Sequence, residues 1–193
     1  MKPIASHEIL ALADYERARS LLRPLLLHEK DRRRLHVGPH VTLLFENAQT
    51  AWYQIQEMIR TEKLESADAI NHEIETYNEL LPRKGELAAT MLIEYADAAE
   101  RDAALRRLVG LESHLWINFA GRRERASFDN RQMSNERISS VQFVRFPVGS
   151  IDQNQFLELA HEDKVAIEVD HPSLAAHARI AHTLAHSLAE DLA

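Results

Sequence analysis

Apolar residues recur along this chain with two different periods, and the switches between them mark its elements. Over residues 6–23, Ile9, Leu12, Ala13, Ala18, Leu21 and Leu22 fall at roughly helical spacing, with Ser6 placed to cap the start and Glu8 in the first turn. Pro24 cannot continue the backbone ladder, so PLLLHEKDRRR is expected as a kinked extension or a second short helix. Residues 35–46 (LHVGPHVTLLFE) turn to β-branched and apolar types broken by Gly38 and Pro39, which predicts two short extended pieces or one bent strand. Residues 50–63 and 67–81 return to the helical period, with Trp52, Ile55 and Ile59 on one face and Ile70, Ile74, Tyr77 and Leu81 on the other helix's face. They read as a helical hairpin closed by Pro82 and Gly85.

Beyond the hairpin, residues 86–95 (ELAATMLIEY) predict a strand weakened by its alanines, and residues 97–108 a helix that ends in a left-handed cap at Gly110. Strand-like runs follow at residues 114–120, 123–128 and 139–148, the last alternating Val141, Phe143 and Arg145 against Gln142, Val144 and Phe146. A short helix over 152–161 precedes KVAIEVD, in which Val165, Ile167 and Val169 form one buried face. A final helix is expected from Pro172 through Leu192, carrying Leu174, Ala178, Ala181, Ala185 and Leu188 at three- and four-residue spacing. No fixed repeat is visible, and strands cluster in the second half. The expected fold is α+β: a mainly antiparallel sheet of about five to six strands, with the helical hairpin and the N- and C-terminal helices packed on it.

Composition adds limits. The chain has 193 residues, suited to a single domain over 1–193, and 45% apolar with 27% charged residues is a globular balance that disfavours disorder. The formal charge of -7 argues weakly against nonspecific attraction to nucleic acid or anionic lipid. Without cysteine there is no disulfide, thiolate zinc site, cysteine-ligated cluster or thiol nucleophile. The start, MKPIASHEIL, lacks the pattern of a secretory signal, and no run of about 18 apolar residues would span a membrane. The cytoplasm is the expected compartment.

The blocks VGPHVTLLFENAQTAWYQIQEMIRTEK, IETYNELLP, ELAATMLIEY, SSVQFVRF and VDHP, in that order, resemble the bacterial family known as domain of unknown function 3501 over essentially the whole chain. That family supplies no activity, cofactor or catalytic residue to carry over. The resemblance does imply company: its members are often encoded beside rubrerythrin-like and iron–sulfur oxidoreductase proteins, which suggests partners in oxidative-stress or iron-dependent redox metabolism.

The polar groups are densest in the hairpin and the strand before it. Asp68, His72 and Glu75 are spaced to share one helix face, where a carboxylate and an imidazole could hold iron, manganese or zinc, although such spacing more often makes a solvated face. Glu46 follows the apolar run LLF and Glu57 lies among Ile55, Met58 and Ile59, so either could be a carboxyl with a raised pKa; for Glu46, ahead of Asn47, helix capping is the preferred reading. A ligand groove between the sheet and the hairpin would use Glu46, Gln54, Glu57, Tyr77 and Asn78.

The 11 histidines include His182 and His186, which with Glu190 have chelating spacing but are read as solvent-exposed. Asp170 and His171 sit at a strand end and point to opposite faces. The runs Arg32–Arg33–Arg34 and Arg122–Arg123 with Arg125 could contact phosphate, but acidic neighbours interleave and no glycine-rich loop is present, so a solvated face is preferred and nucleic acid is disfavoured. No G-x-S-x-G, H-E-x-x-H or G-x-G-x-x-G occurs. The leading expectation is a non-catalytic accessory or small-ligand-binding protein of a redox system, and an oligomer is allowed. The alternatives are a metal-dependent enzyme using Glu46, Glu57, His72 and Glu75, and phosphate or nucleic-acid binding through the arginines.

Overall fold

A computed structural model describes residues 1–129, 131 and 135–192. In chain order the elements are α1 (Leu12–Arg32), β1 (Arg34–Val37), β2 (Val41–Phe45), α2 (Ala48–Glu62), α3 (Ala67–Asn78), β3 (Glu86–Ile93), α4 (Ala98–Arg107), β4 (Leu115–Phe119), β5 (Arg122–Arg125), β6 (Ser127–Phe128), β7 (Val141–Pro147), α5 (Gln153–His161), β8 (Ala166–His171), β9 (Leu174–Arg179) and α6 (His182–Ala189). The fold is α+β and every described strand pairing is antiparallel. The strands form two sheets, ordered β1-β2-β3-β7-β6 and β5-β4-β8-β9. The run over 123–128 is divided between them at Ala126, whose amide bonds to Leu115 while the chain passes from one sheet to the other.

Both sheets turn an apolar face inward, and the two faces share one core. Val41, Leu43, Phe45, Leu87, Ala89, Met91, Val144 and Phe146 come from the first sheet; Leu115, Ile117, Phe119, Ile167, Val169 and Leu174 come from the second. Helices α5 and α6 pack together and add Phe156, Ala160, Leu184, Ala185 and Leu188 to it. A smaller cluster lies under the helical hairpin, where Ala51, Ile55, Ile59, Ile74 and Leu81 meet Ile4. Burying that apolar face is what turns two amphipathic helices into a layer over the outer face of the first sheet.

Local sequence chemistry explains the ends of the hairpin. Asn47 accepts from the Thr50 amide and Ser66 from the Ala69 amide, while Lys63 closes α2 in the left-handed conformation. Gly110 likewise adopts φ +95° after α4. The first helix departs from its sequence reading: residues 6–8 form a separate 3₁₀ turn, Ser6 does not cap α1, and α1 runs through Pro24 without a break.

The largest departure is at the C-terminal end. Leu174–Arg179 is a strand rather than the first half of a helix, paired with β8 through a turn at Pro172 and Ser173. Alanine spacing favours a helix there, but Leu174, Ala176, Ala178 and Ile180 also alternate with exposed Ala175, His177 and Arg179, and pairing with β8 selects that second pattern. Among the described residues no helix is long and apolar enough to cross a membrane.

Candidate ligand-binding site

The site begins with a buried cation that fixes the backbone. Arg33, 0% exposed, donates through Nε to the Phe45 carbonyl at 2.8 Å, through Nη1 to the Ser187 carbonyl at 2.8 Å, and through Nη2 to the Glu46 carbonyl at 3.2 Å. Nη1 also reaches Ser187 Oγ, and Nη2 pairs with the Asp191 carboxylate, so the guanidinium is fully used. This overturns its reading as part of a solvated run: Arg32 and Arg34 do face nearby acids, whereas Arg33 ties the end of β2 to α6. Burial pushes Asp191 up to about 6, with Arg33 opposing that shift.

With its carbonyl held from one side, Glu46 projects its side chain to the other. The residue is 1% exposed, and its carboxylate accepts from the Thr50 hydroxyl at 2.5 Å and the Thr90 hydroxyl at 2.6 Å. Gln54 Nε2 lies farther away, at 3.4 Å and 3.5 Å from the two oxygens. Glu46 is therefore not the helix cap; Asn47 takes that role, and the acid instead bonds hydroxyls from α2 and β3. Among the described residues no basic side chain pairs with it.

Glu46 lines a cavity of about 350 Å³ between the outer face of the first sheet and the end of the hairpin. Strand register sets the floor: Ala88 stands opposite Arg145, which stands opposite Ser127, and Thr90 stands opposite Phe143. Phe128 and Phe143 supply the apolar wall. Two of the cavity's arginines are engaged. Arg145 donates to the Leu81 carbonyl at 2.9 Å and Glu86 at 3.1 Å, and also bonds the Glu79 carbonyl, while Arg131 meets Glu79 at 2.5 Å and Asp129 at 2.7 Å. Arg83 is exposed at the rim, and its side chain makes no hydrogen bond or ion pair among the described residues. The cavity thus offers a buried acid inside, an open cation at its edge and aromatic rings in its wall.

The residues expected to share a groove separate. Glu57 faces α1, where it accepts from Tyr15 at 2.7 Å and from Arg19 at 2.7 Å and 2.9 Å. Those Arg19 hydrogen bonds, helped by the Tyr15 hydroxyl, bring its pKa down to about 2, and it shares no partner with Glu46. Asn78 clamps the chain start, accepting from the Ile4 amide at 2.8 Å and donating to the Ile4 carbonyl at 2.9 Å. Tyr77 is half-buried in the hairpin cluster, and burial raises its phenol, with the charges of Glu73 and Glu46 adding to the shift. Asp68, His72 and Glu75 are all exposed on α3. Among the described residues no group of three or more histidine and acidic side chains is placed to hold one metal ion.

On the far side of the molecule, the outer face of the second sheet carries a polar ladder. Asp170 accepts from Arg123 at 2.6 Å, Trp116 at 3.0 Å and bonds His114 at 2.9 Å, and the Arg123 guanidinium lies over the Trp116 ring. Arg123 holds the Asp170 carboxyl far below the usual range. His171 turns inward from the same strand, as alternation requires, and borders a hairpin turn rather than a helix.

Comparison with known proteins agrees with this architecture. The sequence profile described as "Protein of unknown function (DUF3501)" matches residues 3–192, and the chain belongs to that family. A crystal structure described as a novel protein of unknown function from Burkholderia pseudomallei K96243 is 33% identical, with a TM-score of 0.88 and 100% of each chain covered. No curated protein matches the chain significantly.

Proposed function

We propose that this protein binds a small polar ligand bearing a protonated amine in the cavity beneath the hairpin, and that it acts through this binding. The observation that carries the reading is Glu46: a carboxylate 1% exposed, held by two hydroxyls, in a cavity wall, with no cationic side chain to neutralise it among the described residues. Burying an ionised acid is costly unless a positive partner arrives, and the cavity leaves room for one. An ammonium group at Glu46 would regain that interaction, and an anionic group at the other end would meet Arg83. A cavity of about 350 Å³ suits a compact zwitterion or diamine with a flat or apolar body against Phe128 and Phe143. The iron-dependent redox setting suggested by the family resemblance is retained as the proposed context, with the protein as a binding accessory to rubrerythrin-like or iron–sulfur partners.

The test is calorimetry on the full chain with glycine, γ-aminobutyrate, putrescine and spermidine, each beside the analogue in which every amine is replaced by a hydroxyl or ether oxygen and no cation remains. At least one amine is expected to bind saturably where its analogue does not, with affinity falling about tenfold or more in Glu46→Gln. Equal behaviour of amines and their analogues, or an unchanged affinity in that variant, would remove the reading.

A further inference from the structure

Helix α6 buries Leu184, Ala185 and Leu188 and turns His182 and His186 outward, where both are exposed. Their four-residue spacing puts one ring above the other, 4.4 Å between centroids and nearly perpendicular. The Nε2 atoms come within 3.2 Å of each other. Two neutral imidazoles at that distance hold one proton between them, one nitrogen donating and the other accepting. A divalent ion can occupy that point once the donating ring carries its proton on Nδ1 instead, because both Nε2 atoms then present lone pairs to it. With metal–nitrogen bonds of about 2.1 Å, a 3.2 Å separation corresponds to an angle of about 100° at the ion, within the range of tetrahedral and octahedral shells.

We propose that His182 and His186 chelate a late first-row divalent ion such as zinc or nickel. The surroundings favour it. The His161 ring, on the last turn of α5, lies 5.7 Å from that of His182, and His28 and Asp31 line a cavity of about 570 Å³ that also contains the α6 pair. Arg32 and Arg34 border the same cavity, but each is turned to a carboxylate, Glu29 at 3.4 Å and Asp31 at 3.8 Å. Among the described residues no third ligand is already converged, so α6 supplies two ligands and the remaining positions go to water or to the side chains around the pair. Imidazole donors select zinc, nickel and copper over magnesium and calcium. This site lies apart from the Glu46 cavity and does not depend on it: among the described residues the two share no lining residue.

The experiment is titration of the full chain with zinc and nickel chloride, with magnesium chloride as control, followed by calorimetry and by histidine ring nitrogen NMR. Saturable one-to-one binding is expected for zinc and nickel only. The Nε2 resonances of His182 and His186 should move together on addition of zinc, and affinity should fall about tenfold or more in His182→Gln and in His186→Gln. His72→Gln on α3 should leave it unchanged. Both α6 side chains are solvent-facing, so circular dichroism should match the parent protein. Absence of saturable binding, unmoved ring resonances, or an affinity in both α6 variants equal to the parent's overturns the proposal.

Discussion

The Thr90 hydroxyl, on β3, donates to the Glu46 carboxylate at 2.6 Å across 44 residues of chain. Two hydroxyls and, at longer range, the Gln54 amide solvate this acid, and among the described residues no cationic side chain neutralises it, so the charge is a cost to the unliganded fold. Glu46→Gln keeps the shape and removes the charge. Its stability in urea is expected to equal the parent's or exceed it by up to about 1 kcal/mol, as for a site retained at the expense of stability. A loss of more than about 2 kcal/mol would instead mark the carboxylate as a structural acceptor.

Glu57 should shape the acid limb of stability. Its folded pKa of about 2 lies below the ordinary 4.5, so between those values the unfolded chain binds the extra proton and stability rises with pH. The contribution is fully present above pH 4.5 and disappears as pH falls through about 2. The group is partly solvated, which limits the effect to about 1–2 kcal/mol. Urea unfolding at pH 3 and pH 7 should show a smaller pH-dependent difference in Glu57→Gln than in the parent; an identical difference would contradict this account.

Gly38 turns between β1 and β2 at φ +71°, and a Cβ there would stand 2.9 Å from the Ala176 Cβ on β9. Gly38→Ala therefore combines backbone strain with a collision, whereas Gly110→Ala, with nothing within 4 Å, meets strain alone. The first is expected to cost about 1 kcal/mol more than the second by thermal unfolding. Adding Ala176→Gly should recover part of that excess. Equal costs at the two positions would show that the loop simply shifts away.

Asn78 holds both polar groups of the Ile4 peptide. Asn78→Ala is expected to cost about 1–2 kcal/mol. The more specific readout is hydrogen exchange: the Ile4 amide should lose its protection while the amides of β3 keep theirs.

The parts of the fold legible in sequence were those in which local pattern and tertiary demand agree. Ile55, Ile59, Ile74 and Leu81 announce the hairpin face, and Val165, just ahead of β8, with Ile167 and Val169 announces that strand's inward face. Residues 174–180 failed because small alanines satisfy both a helical and a two-residue period, and the choice between them is made by β8, not by the segment itself. Of the candidate site, only Glu46, with Gln54 at its margin, was anticipated. Thr90 and Arg145 stand on the polar side of alternating strands, a signal present in the sequence, but which polar face a helix layer would cover is decided by topology. Arg33 was hidden by its neighbours: two solvated arginines beside it disguised one that is wholly enclosed.

That enclosed guanidinium also has a bearing on synthesis. Its partners on α6 and just beyond lie 154 and 158 residues downstream, so at about 5–20 residues per second a ribosome needs roughly 8–30 s to supply them. Until then, docking the end of α1 against β2 leaves the cation without its Ser187 and Asp191 partners. A premature stop ahead of Ser187 removes the Ser187 and Asp191 acceptors, so a chain that docked the rest of its fold would enclose an incompletely satisfied cation.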